Sequence, residues 1–241
     1  MNNIWDNKKI AEEIRNNGYY IFENYFNSEE IDKIKKSLLD ILHYIKPDEE
    51  KDLQKKYYQI KKYNSKLKGN WYDIAPYNIT MLQLLHKPEM INFVKEFFNT
   101  DVVFSGRPAI HAHDDENDKL LEPHQERAQI ARDNLVFWSS LYDTNKENGG
   151  LSIYKDSHKH GYFKHSMVKT SHVDESITNK FKRIDLEIKT GSAILMLSRV
   201  LHCGYPTKKK DTVRIILTER YNPLQKIPFL KDEHAPLRYK Y

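Results

Sequence analysis

The hydrophobic period of this chain changes near residue 100, and that change limits what it can fold into. Before it, Ile31, Ile34, Leu38, Ile41, Leu42 and Ile45 recur at steps of three and four, the stripe of a half-buried helix. Asn27-Ser28-Glu29-Glu30 supplies a capping side chain and a following glutamate at its start, and Pro47 stops it. A shorter helix over 4–15 is expected to end at Gly18, ahead of the aromatic strand Tyr19-Tyr20-Ile21-Phe22. Another begins near Pro88, a good first-turn residue, and carries Ile91, Val94, Phe97 and Phe98 on one side. Residues 48–75 are charged and tyrosine-rich with little periodicity, and read as loop or short helix on the surface. After residue 101 the pattern becomes that of strands: Val102-Val103-Phe104, 134–142, 151–154, 184–188, 193–197 and 213–218, with Asn148-Gly149-Gly150 as a turn. Helices first and many short strands afterwards predict an α+β fold with a β-sandwich or barrel core.

No repeat or flexible linker interrupts the chain, so 1–241 is expected to be one domain, with 1–100 as helical support, 101–222 as the β core and 223–241 as a C-terminal tail. A hydrophobic fraction of 39% is enough for one real core and argues against global disorder. The net charge of +5 is a small excess of 39 basic over 34 acidic residues, and the two are interspersed. The longest basic run is Lys208-Lys209-Lys210, which suits a solvated turn, so neither nucleic acid nor a membrane is expected as a partner. Cys203 is the single cysteine, which rules out an internal disulfide and suits a reducing compartment. The N-terminus lacks a basic stretch followed by an apolar run, and no segment approaches the roughly 18 apolar residues of a membrane helix. A cytoplasmic protein is expected; its oligomeric state is not legible.

The chemistry concentrates in three segments. His124 and Glu126 lie two apart, so on an extended strand they face the same way. His202 follows the apolar run 193–197, and Arg214 lies twelve residues beyond it. Two imidazoles and one carboxylate form the facial triad of non-haem iron(II) oxygenases, which leaves positions open for other ligands. A guanidinium fork at Arg214 matches the remote carboxylate of a 2-oxo acid. His111-Ala112-His113 is a rival metal pair, next to a polar run Asp114–Lys119 that reads as solvated loop.

These residues, together with Gln125, Trp138, Asn148-Gly149-Gly150, Asp156-Ser157-His158 and Arg220-Tyr221, resemble the phytanoyl-CoA dioxygenase-like family of Fe(II)/2-oxoglutarate-dependent oxygenases. Gly18–Phe22 and the helix starting at Ser28 look like that family's opening. The resemblance implies a double-stranded β-helix, a jelly-roll or cupin-like barrel flanked by N-terminal helices. It implies Fe(II), 2-oxoglutarate and O2 as cofactors, with His124, Glu126 and His202 binding iron and Arg214 clamping 2-oxoglutarate. It further implies Trp138 against the cosubstrate, and Arg107 or His111 as an additional group touching it. Glu126 departs from the usual aspartate by one methylene. The activity implied is hydroxylation of an aliphatic carbon with decarboxylation of 2-oxoglutarate to succinate. The polar segments 55–77 and 160–183 are candidate walls and favour a small polar metabolite such as a sugar or amino acid. The alternatives are a cupin-like metalloenzyme that does not use 2-oxoglutarate, or a non-catalytic metabolite-binding barrel.

Overall fold

The computed structural model describes residues 5–66, 74–106, 108–115, 122–126, 133–166 and 172–224. Helix α1 (Asn7–Asn17) is capped by Asp6 and closed by Gly18. Strand β1 (Tyr19–Phe22) leaves it directly and runs antiparallel to β9 (Ala193–Leu197), Tyr19 opposite Met196. The stripe seen in the sequence becomes α2 (Ser28–Ile45), whose first turn is closed by reciprocal Asn27–Glu30 hydrogen bonds.

The segment 48–75 contains the short helix that was one expectation for it, α3 (Leu53–Tyr63), but that helix is more than a surface element, because its Leu53, Lys56, Tyr57 and Ile60 are buried. The charged residues that masked its periodicity are used internally. Tyr57 Oη donates to Asp114 at 3.1 Å, and Lys61 Nζ pairs with the same carboxylate at 2.8 Å. Asp114 is thus buried and ends a strand, where a solvated loop was expected. A short 3-10 turn (Ala75–Tyr77) leads into α4 (Ile79–Leu85), a helix with no sequence expectation, and then α5 (Pro88–Phe98).

Two antiparallel sheets follow. In the larger, β11 (Val213–Pro223) lies between β4 (Leu135–Ser140) on one side and β3 (Ala109–Asp114) and β2 (Val103–Ser105) on the other, and β4 continues to β9 and β1. The smaller consists of β10 (His202–Tyr205), β5 (Gly150–Tyr154) and β8 (Arg183–Leu186). A hairpin, β6 (His165–Ser166) with β7 (His172–Val173), and the turn of helix α6 (Glu175–Thr178) complete the set. From β4 onward the chain crosses repeatedly between the two sheets, which makes the double-stranded β-helix that the resemblance implies. No described helix is long and apolar enough to cross a membrane.

Alternation along β11 assigns its two faces. Tyr221 points to the helices, with its hydroxyl on the Leu85 carbonyl at 2.5 Å, inside an aromatic cluster with Phe137 and Tyr25. Glu219 points the same way and is fully buried. It accepts from His86 Nε2 (2.9 Å), Ser105 Oγ (2.7 Å) and the Gly106 amide (3.0 Å). Since His86 Nδ1 also faces a carbonyl, that of Leu82 at 2.8 Å, both ring nitrogens donate and the hydrogen bond to Glu219 raises the imidazole pKa. Glu219 therefore ties α4 and β2 to the central strand. Glu219→Ala is expected to lower the unfolding free energy by about 1–3 kcal/mol, because it removes the shared acceptor of three hydrogen bonds, as read from a urea denaturation midpoint.

Candidate metal centre

Backbone pairing brings the three expected ligands together. The His124 amide donates to the His202 carbonyl at 2.9 Å and the His202 amide returns to His124 at 3.0 Å, while the Glu126 amide donates to Ser198 at 2.9 Å. Segment 124–126 is therefore an added edge on β10, and its alternate side chains share the inner face. His124 Nε2 lies 4.0 Å from Glu126 Oε1, and His202 Nε2 lies 3.9 Å from the same oxygen. The donor atoms of all three fall within 4.8 Å of one another, the one such group of three or more among the described residues.

The surroundings fix which atoms face inward. His124 Nδ1 is 2.7 Å from the Glu122 carbonyl and His202 Nδ1 is 2.9 Å from the Val200 carbonyl. A carbonyl only accepts, so each Nδ1 carries the proton and each Nε2 keeps its lone pair for a metal. Burial, then His124, push His202 down to about 3. Burial would raise the Glu126 carboxyl, but the charge and hydrogen bonds of Arg220 outweigh it and hold it at about 2. An ionised carboxylate beside imidazole nitrogens that face inward suits metal binding, so the donor set fits a divalent ion. Gln125 turns to the opposite face. Its amide nitrogen reaches the carbonyls of Gly161 (2.9 Å) and Arg199 (2.6 Å), its Oε1 accepts from Phe163 (2.8 Å), and its backbone N–H donates to His165 Nε2 (3.0 Å).

Arg214, Trp138 and His111 line the same cavity as the triad. Arg214 reaches across from the large sheet to the small one, donating from Nη1 to the Gly150 (3.0 Å) and Tyr205 (2.9 Å) carbonyls. Its buried Nε has no hydrogen-bond partner among the described residues, and burial lowers its pKa to about 10. The Asn148-Gly149-Gly150 turn is shaped around it: at Gly149 (φ 74°) a Cβ would stand 2.6 Å from Nη1. Arg107 lies outside the described residues. His111 and His113 both face the cavity, with ring centroids 6.3 Å apart, but among the described residues no third ligand-type side chain groups with them, and Asp114 turns to Lys61. Within the described parts of 55–77 and 160–183, no residue contributes to the cavity lining. α3 instead applies Tyr57, Tyr58 and Lys61 to Asp114, Asp115 and the Thr212 carbonyl. Arg220, in contact with Glu126, was legible only as half of an arginine–tyrosine pair. The overlooked signal was parity, since it is six residues from Arg214 on one strand.

Three imidazoles in this cavity are held neutral. Burial, then Arg220, take His111 to about 4, and burial, then Arg214, take His113 to about 3, alongside His202 at about 3. Below about pH 6.5 the unfolded chain binds protons that these native imidazoles refuse, so folding stability falls as pH falls. Each group contributes a slope of up to about 1.4 kcal/mol per pH unit. Denaturation midpoints of the metal-free protein are expected to drop between pH 6.5 and 4.5, and His113→Asn to flatten that decline.

Comparison with known proteins agrees with this geometry. No curated protein matches the sequence. Among solved structures, the epimerase SnoN, described in complex with Fe3+, alpha ketoglutarate and nogalamycin RO, superposes with a TM-score of 0.66 at 13% identity, covering 90% of this chain and 83% of that one. The non-heme monooxygenase ThoJ gives 0.64 at 16% identity, over 89% and 77%. The non-heme alpha ketoglutarate dependent carbocyclase SnoK gives 0.64 at 13%, over 91% and 84%. At these identities the likeness is one of fold. The model of the phytanoyl-CoA dioxygenase (PhyH) family matches residues 14–214, and with so much of the chain covered, including all three converging ligands and Arg214, this protein belongs to that family.

Proposed function

We propose that His124, Glu126 and His202 hold iron(II), that Arg214 binds the remote carboxylate of 2-oxoglutarate, and that the enzyme oxidises an aliphatic carbon of a small polar molecule. The observation carrying this is the convergence of two Nε2 atoms and one carboxylate oxygen in a cavity whose other end is a buried arginine without a carboxylate partner among the described residues. Arg214 contacts β10 and β5 at Tyr205 and Gly150, three residues along from His202. At about 3.4 Å per residue that is roughly 10 Å, a span suited to a five-carbon dicarboxylate bound to a metal at one end.

Iron with 2-oxoglutarate and dioxygen supplies the oxidising power, and the 2-oxo acid leaves as succinate and carbon dioxide. The residues of this chain do the rest. Two imidazoles and one carboxylate on one face would leave the opposite face open for cosubstrate and oxygen. Arg214 takes a carboxylate with its free Nε edge, and the loss of hydration inside the barrel strengthens that pairing. His113 stands beside Arg214 as a neutral imidazole, able to hydrogen-bond the same carboxylate without adding a second cation. Trp138 gives the cosubstrate an apolar wall. SnoN and SnoK are described as an epimerase and a carbocyclase, so this fold supports outcomes other than oxygen insertion. Hydroxylation of that carbon is the outcome proposed for this chain.

Anaerobic titration with iron(II) and 2-oxoglutarate is expected to develop the weak visible charge-transfer band of a chelated 2-oxo acid. His202→Ala should abolish it. Arg214→Ala should weaken 2-oxoglutarate binding by about a hundredfold, the effect of removing one partner of a buried charge pair, while leaving iron bound. An iron-loaded wild type with no band would overturn the assignment.

A further inference from the structure

Glu126 is one methylene longer than the aspartate of the pattern it resembles, and that length is used. Its carboxylate lies against Arg220, with Nη2 donating to Oε1 at 2.8 Å and Nε to Oε2 at 3.4 Å. The remaining arm, Nη1, donates to Thr218 Oγ1 at 2.8 Å, and Thr218 donates in turn to the Ala109 carbonyl at 3.3 Å. Both side chains of the pair are largely buried, Arg220 at 14% and Glu126 at 11% exposure. All three guanidinium nitrogens are therefore engaged, two by the carboxylate and one by a hydroxyl anchored on the neighbouring strand.

We infer that Arg220 is a positioning residue for the metal site. It fixes Glu126 so that Oε1, the oxygen nearest both imidazoles, faces the metal. The inference rests on the reading that these three side chains hold iron, and it explains why a glutamate works where an aspartate is usual. A glutamate has an extra rotatable bond, and holding it still costs side-chain entropy. A rigid fork that engages both oxygens removes that freedom before the metal arrives. Arg220 also draws charge from the ligand, which taken alone would weaken metal binding. Fixing the ligand is the larger effect, because loss of an outer partner that orients a metal ligand ordinarily costs about 10- to 100-fold in affinity.

The test is calorimetric titration of the full chain with cobalt(II), with the cobalt visible spectrum recorded and each metal-free variant checked for folding by thermal melting. Arg220→Gln is expected to weaken cobalt binding at least about tenfold and to alter the spectrum. Arg220→Lys, which keeps the charge but offers one nitrogen, should fall between the two and carries the test if the glutamine variant does not fold. In a double-mutant cycle, Glu126→Asp should cost less in the Arg220→Gln background than in the wild type. Folded Arg220 variants that bind cobalt within about twofold of wild type, or more tightly, or a cycle whose losses simply add, would overturn the role of Arg220. Failure of the wild type to bind cobalt would instead overturn the metal reading beneath it.

Discussion

Alternation along β11 puts a helix-facing row and a cavity-facing row on one backbone, and the rest of the structure is arranged around that division. Leu217, Glu219 and Tyr221 lock the helical layer to the sheet, while Arg214, Thr218 and Arg220 face the opposite sheet and its ligands. A slip of one residue would exchange the rows. It would place a glutamate where a guanidinium must be, and guanidinium groups among the aromatic rings of the core. Register is held from both sides, by β4 over 216–221 and by β3 over 213–218. The overlap of those two ladders makes β11 the least adjustable strand in the molecule.

The cavity is assembled in its charge states before anything enters it. The carboxylate is ionised because the charge and hydrogen bonds of Arg220 outweigh its burial, and burial holds His111, His113 and His202 neutral. Hydrogen bonds from both Nδ1 atoms to carbonyls select the tautomer. At the far end Arg214 keeps its charge with two carbonyls as its hydrogen-bond partners among the described residues, which suits the anion proposed for it. These conditions are set by residues on four strands and an added edge, which is why the donors are far apart in sequence yet close in space.

Much of this was legible in the chain. His124, Glu126, His202 and Arg214 were singled out from parity and chemistry, since residues two apart on a strand must share a face and the residue types suit one ion, and the fold brings the four to one cavity. Helix α2 was marked by its stripe and its cap. The buried face of α3 escaped because Lys56, Tyr57 and Lys61 break an apolar count while being used inside, against Asp114 and the Lys46 carbonyl. Asp114 was misread for the complementary reason: a run of acids suggests solvent, and only the tertiary fold brings a lysine and a tyrosine to the first of them. Parity with Arg214 put Arg220 on the cavity face, but its pairing with Glu126 is a contact across sheets that no local pattern contains.

The grip of Gln125 has a consequence for how such an enzyme can change. This residue sits between two of the proposed metal ligands yet spends its side chain on the backbone of 161–163 and on Arg199, while its N–H is received by His165. Pro123 likewise accepts from Val173. The edge bearing His124 and Glu126 is thus clasped between β10 and the outer hairpin, so that hairpin is part of the metal site's frame and not a free-standing appendage. Exchanging it wholesale for a segment from a relative would transplant a mismatch onto the ligands themselves. Diversification by loop replacement is therefore steered toward the other rim of the barrel, and here it must proceed by single side chains that leave the 161–165 backbone where Gln125 finds it.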